Sequence, residues 1–214
     1  MIINRYKTND KIFATLLILS SLIYIIYLFK ISQDYYWKYV YTDWIINYEG
    51  GFTKRGLIGQ IAIELSRYFQ TSLRWMIFLM QSFTITIYFT LLFNILKYLQ
   101  FERVIILSIF TPIFVLYPVA EIEVLGRKEI IIFSFYLIYL TLKNFKQKNY
   151  FRIFLLPLLM LIWEPVVFFF VFWLIVDYIE GVFKKTYKSL IKYLFTFIPA
   201  IFIGVYIALI LIFA

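Results

Sequence analysis

Neither cysteine nor histidine occurs in the 214 residues. Without cysteine there is no disulfide, no thiolate nucleophile and no iron–sulfur ligation. Without histidine there is no Ser-His-Asp relay, most zinc sites are ruled out, and the usual near-neutral general base is missing. Any chemistry must rest on Asp, Glu, Lys, Arg, Tyr, Ser or backbone groups. Charge is scarce too, at 15% of residues. The short alternating segments that a transmembrane β-barrel needs are also missing.

Hydrophobic residues make up 64% of the chain and aromatics 23%, a composition outside that of soluble domains. Several apolar runs reach the roughly 20 residues that a helix needs to cross a bilayer. In lipid only closed backbone hydrogen bonding survives. The expected fold is all-α: a polytopic transmembrane helical bundle of about six to seven membrane segments. It forms a single integral membrane domain over residues 1–214, with interfacial helices in an outer loop at 31–73. A net charge of +9 would point to nucleic acid in a soluble protein. Here it reads as topogenic charge beside anionic headgroups, so membrane lipids and no nucleic acid are expected as partners.

The leader carries Arg5, Lys7 and Lys11, and the apolar run Ile12–Phe29 has no small-residue cleavage site after it. It reads as an uncleaved first span, with the N-terminus on the cytoplasmic side of the cytoplasmic (inner) membrane. Further spans are expected near Leu73–Leu96, Val104–Val119 (interrupted by Pro112 and Pro118), Ile130–Leu142 and Tyr193–Ala214. The last ends in mid-apolar sequence, as a piece of a longer protein would. Residues 153–179 pose a choice between one long span and two short legs folded back at Trp163-Glu164-Pro165. Proline disfavours helix at the residue before it and lacks an N–H donor, so a break there is expected. The fold-back returns Lys184, Lys185, Lys188 and Lys192 to the side of the N-terminus and of the basic loop Lys143, Lys146, Lys148 and Arg152. Most of the 21 lysines and arginines then lie inside, as topology by positive charge favours.

That arrangement brings three polar stretches to the outer face: residues 31–73, the island Glu121–Glu129, and the Trp163-Glu164-Pro165 corner. The densest run of acid, base and glycine is Asp43–Gly59. Asp43 and Asn47, four apart, would share a helical face. Tyr35, Tyr36, Trp37, Tyr39, Tyr41 and Trp44 fit a belt at headgroup level. Beyond the glycine turn, Leu57, Ile58, Ile61, Leu65, Tyr68 and Phe69 recur at helical spacing, with Gln60, Glu64 and Arg67 opposite. That pattern predicts a helix lying in the interface. Carboxylates in such a setting can act as general bases or hold a divalent cation, so no cofactor is required and a divalent cation is the candidate. Lysine and arginine beside a glycine turn suit phosphate. Glu164, next to a proline break at membrane depth, is the costliest acid to place.

This layout resembles the membrane-embedded glycosyltransferases of the type C class, which use polyprenyl-phosphate-linked sugars. The resemblance is one of topology over roughly residues 1–175. It implies a catalytic base in the first outer loop, matched here by Asp43, with Asp34 and Glu49 as alternates. It implies lipid-phosphate ligands corresponding in role to Lys54, Arg55, Arg127 and Lys128; Asn47 and Glu164 complete the expected substrate-binding set. Two other classes use the same residues. One is a carrier or channel built on Glu164 and the broken 153–179 segment. The other is an assembly subunit without activity.

Overall fold

The computed structural model describes residues 2–34, 39–97, 103–111, 114–181 and 187–213. Tyr35, Tyr36, Trp37, Pro112, Lys184 and Lys185, all used in the sequence reading, lie outside the described residues. In chain order the helices are α1 (Ile2–Gln33), α2 (Tyr39–Ile45), α3 (Gly56–Tyr68), α4 (Leu73–Leu96), α5 (Arg103–Ile109), α6 (Tyr117–Ala120) and α7 (Glu129–Thr141). They continue with α8 (Phe145–Tyr150), α9 (Leu156–Ile162), α10 (Phe170–Ile179), α11 (Tyr187–Phe195) and α12 (Ile198–Phe213). Among the described residues there is no strand, so the all-helical expectation holds. Among the described residues two helices are long and apolar enough to cross a membrane, Lys11–Gln33 and Leu73–Leu96. A third results if Ser189–Phe195 and Ile198–Ile210, bent by 45°, count as one span.

Contacts gather into two compact units: Met1–Ile45 with Ala62–Leu137, and Ile46–Ile61 with Ile138–Ala214. The first is built on α1 against α4. Leu28, Ile77 and Ile85 are fully buried there, and Tyr24 meets Phe89 edge-on at 5.3 Å. Ser72 starts α4 by accepting the Trp75 N–H, a side-chain cap that satisfies one orphan donor. The span expected over 104–119 is not one helix. α5 stops at Ile109, and α6 is a single turn with Pro118 at its start, where a missing N–H is tolerated. The segment at Ile130–Leu142 is α7, whose 13 residues reach only about 20 Å, short of the hydrocarbon thickness.

The second unit holds α8 to α12 and the loop 46–61. Asn144 caps α8 by accepting the Lys146 N–H. A π-helical turn, Phe151–Leu155, follows and leads into α9. Pro157 lacks the N–H that would bond back to residue 153, which accounts for the widened turn. At Trp163 the backbone swings to φ −158°, ψ 101°, and a 3-10 turn over Glu164–Phe169 leads into α10. The chain doubles back at this corner, because Lys148 and Arg152 before it bond to Asp177 and Glu180 after it. α12 packs along α9 and the π-helical turn.

Candidate functional site

In the first unit, the polar island is organised by the Gly126 carbonyl. Trp44 Nε1 donates to it at 2.7 Å and Gln81 Nε2 at 3.1 Å, and Gln81 also reaches the Val40 carbonyl at 3.2 Å. Trp44 and Gln81 are fully buried. Trp44 and Tyr41 are therefore core residues and not members of an exposed belt, a correction that follows from the indole finding a carbonyl inside the fold. Gly126 has φ +70°, and an added Cβ would sit 2.9 Å from Leu28 Cδ2 and 3.1 Å from Gln81 Nε2. Gly126→Ala is expected to lower stability by about 1–3 kcal/mol through the left-handed backbone and the crowding together. A denaturant midpoint, read alongside a shift of tryptophan emission, checks it.

Just past this glycine, Arg127 Nη2 lies 2.6 Å from Glu129 Oε1. The same guanidinium covers the Tyr39 ring at 5.5 Å. Tyr39 and Asp43 are four apart on α2 and so share a face. Asp43 is only 5% exposed, yet no hydrogen bond or ion pair holds its carboxylate among the described residues. An acid on a mostly apolar helix of a membrane protein is costly to keep, which makes Asp43 a candidate for chemistry. Lys128 is fully buried, so it is not an open phosphate ligand. The Asp34 carbonyl accepts from Arg74 Nη1 at 2.5 Å, which ties the end of α1 to the start of α4.

Beside Arg127 and Glu129 lies a cavity of about 320 Å3. Its walls come from α1, α4, α7 and the segment between α5 and α7, and they include Tyr24, Tyr88, Phe89, Phe114 and Phe133. The Tyr24 hydroxyl donates to the Val115 carbonyl, fixing one wall. Glu121 and Glu123 are exposed.

The second unit brings two expected residues together. Arg55 Nε donates to Glu164 Oε2 at 2.7 Å and Arg55 Nη2 to Glu164 Oε1 at 3.0 Å, a bidentate pair. Arg55 adopts φ +61°, a conformation that side chains other than glycine rarely take. The loop is further held by Tyr48 stacked on Phe52 at 5.4 Å, and by Phe52 against Tyr206 of α12 at 5.3 Å. Tyr48 covers Gly56 so closely that a Cβ there would lie 2.3 Å from the ring. Lys54 and Glu49 are exposed. Asn47 does not share a helical face with Asp43, because α2 ends at Ile45 and the Asn47 side chain instead accepts the Glu49 N–H.

Burial alone would push the Glu164 carboxyl up. The Arg55 hydrogen bond, its own backbone N–H and the nearby Arg55 and Lys54 charges together hold it below the ordinary value. A lowered folded-state value stabilises the loop above the unfolded carboxyl range and is lost as pH falls through the lowered one. Hydrogen-exchange protection over residues 48–56 should therefore persist at neutral pH and fade on acidification. In Glu164→Gln it should be weak throughout.

The second unit also contains a cluster that the sequence reading took for part of a basic loop. Lys143 and Lys146 are exposed as expected, but Lys148, Arg152 and Asp177 are at most 1% exposed. Lys148 Nζ lies 3.2 Å from Asp177 Oδ1 and 2.6 Å from Glu180 Oε2. Arg152 Nη1 lies 2.8 Å from Asp177 Oδ2, and Arg152 Nε donates to Thr196 Oγ1 at 2.8 Å. Tyr139 and Tyr193 also donate to Asp177 Oδ2, and the Arg152 guanidinium stands 4.5 Å over the Tyr193 ring. Half of the basic loop's charge is thus neutralised within the fold.

Sequence reasoning missed Glu129, Gln81 and Asp177 as determinants. A lone amide or acid inside an apolar run was the available signal for the last two. Among the described residues no three acids gather as a metal site would require. Of the expected residues, Asp34, Asp43, Arg127 and Lys128 belong to the first unit, and Asn47, Glu49, Lys54, Arg55 and Glu164 to the second. Compared with protein-family models, curated proteins and solved structures, the chain shows no significant match to any.

Proposed function

We propose that the chain is a multi-pass protein of the cytoplasmic membrane, with about six to seven membrane segments once the short legs are counted, and that it transfers a sugar from a polyprenyl-phosphate carrier at the outer face. The observation that carries this reading is Asp43, an acid only 5% exposed on α2 whose carboxylate no ion pair holds among the described residues. In the reaction, Asp43 takes the proton of an acceptor hydroxyl as that oxygen bonds to the anomeric carbon. The bond from that carbon to the phosphate oxygen breaks, and polyprenyl phosphate departs as an anion into the headgroup layer. The composition, the two membrane-length helices and the topology-level resemblance to the type C class support this assignment. Vesicles holding the protein, a radiolabelled polyprenyl-phosphate sugar and hydroxyl acceptors test it. Transfer that is lost in Asp43→Asn and kept in Glu164→Gln is the expected result. Transfer that survives in Asp43→Asn, or no transfer with any acceptor, overturns it, and solute flux abolished by Glu164→Gln would make the protein a carrier.

A further inference from the structure

The cavity in the first unit has an unusual polar end. Arg127 and Glu129 both line it. Their ion pair leaves Glu129 Oε2 and Arg127 Nε buried and without a hydrogen-bond partner among the described residues. Buried polar atoms are seldom left in that state, and each exception points to a missing water, ion or ligand. The two orphaned atoms are complementary: a carboxylate oxygen that accepts and a guanidinium N–H that donates. A hydroxyl supplies both at once. A phosphate supplies only acceptors and brings a charge of about −1.5 to −2, which the adjacent Glu129 opposes.

The charges point the same way. Arg127 and Glu129 cancel one another at 2.6 Å, so the polar end carries no net charge from this pair. The rest of the wall is aromatic and aliphatic, and a volume of about 320 Å3 falls within the range of small-molecule sites. Two walls are α1 and α4, the helices long enough to cross a membrane, so an apolar tail would reach the cavity through lipid.

We infer that this cavity is a binding site for an uncharged, single-chain amphiphile with a hydroxyl head, in which the hydroxyl bridges Glu129 and Arg127 and the chain lies among Tyr24, Tyr88, Phe89, Phe114 and Phe133. The inference stands apart from the transferase reading, since it uses neither Asp43 nor a phosphate. It makes the site selective against anionic lipid, and Glu129 sets that selectivity.

The test uses the full chain in lipid nanodiscs and a diazirine-bearing dodecanol that crosslinks on illumination. The label should map to the cavity wall: Tyr24 of α1, Tyr88 and Phe89 of α4, or residues 114–133. Unlabelled dodecanol should compete about tenfold better than dodecyl phosphate, the cost of setting a like charge beside Glu129. Glu129→Gln keeps an acceptor for Arg127 but removes the opposing charge, so it should erase or invert that preference while leaving the unfolding midpoint little changed. Ile130→Trp, which fills the cavity from α7, should abolish labelling. Equal competition by the two heads in the native protein, a preference unchanged in Glu129→Gln, or labelling confined to residues outside the cavity wall would each overturn the assignment. Sugar-transfer assays report on Asp43 independently, so failure of one reading leaves the other intact.

Discussion

Asp177→Ala is expected to destabilise the second unit by about 3–5 kcal/mol, the range found when one partner of a buried ion pair is removed. Lys148 and Arg152 are at most 1% exposed, and both bond to this carboxylate. Glu180 would still answer Lys148 at 2.6 Å, but Arg152 would lose the only anion that an ion pair gives it among the described residues. The hydroxyls of Tyr139 and Tyr193 would lose their shared acceptor. The large effect comes from stranding charge and does not mean that the intact cluster contributes as much. A triple replacement, Asp177→Leu with Lys148→Met and Arg152→Leu, should therefore recover most of the loss, as apolar substitutes for buried ion pairs commonly do. Unfolding in mixed micelles, followed by far-ultraviolet circular dichroism, separates the two. A single-variant loss under about 1 kcal/mol would place the cluster in the class of solvated surface pairs.

Asp43→Asn should lower sugar transfer by about 100- to 10,000-fold, the usual contribution of a positioned general base. The same substitution should leave stability unchanged or raise it by about 1 kcal/mol, because a largely buried carboxylate that no ion pair holds among the described residues opposes folding. Opposite signs for activity and stability are the mark of a residue kept for its chemistry. A scaffold acid would show destabilisation with no change in any turnover. Both quantities can be read from one preparation, by scintillation counting of transferred sugar and by a denaturant midpoint.

Helix identity was legible over the long apolar runs. α4 has the predicted limits of Leu73 and Leu96, and α1 covers the predicted Ile12–Phe29, because runs of that length need no help from neighbours to close their backbone hydrogen bonds. The break at Trp163-Glu164-Pro165 was legible as well, since proline acts locally. The interruption expected within 104–119 is present, since α5 ends at Ile109 and α6 is a single turn at Pro118, but hydropathy does not register how little helix such an interruption leaves.

What composition and local order determined for this chain is that it is helical and apolar, that it breaks at Trp163-Glu164-Pro165, and that its chemistry is confined to carboxylates, amines, guanidinium groups and hydroxyls. Only the tertiary structure decided which charges are spoken for. Lys148 and Arg152 look like loop cations until Asp177 is found opposite them, and Arg127 looks like a phosphate ligand until Glu129 is seen to hold it. Asp43, by contrast, is only 5% exposed and has no ion-pair partner among the described residues. The physical reason is that a charge's state depends on partners a few ångströms away in space, and those partners stand up to 109 residues apart in the chain, as Arg55 and Glu164 do.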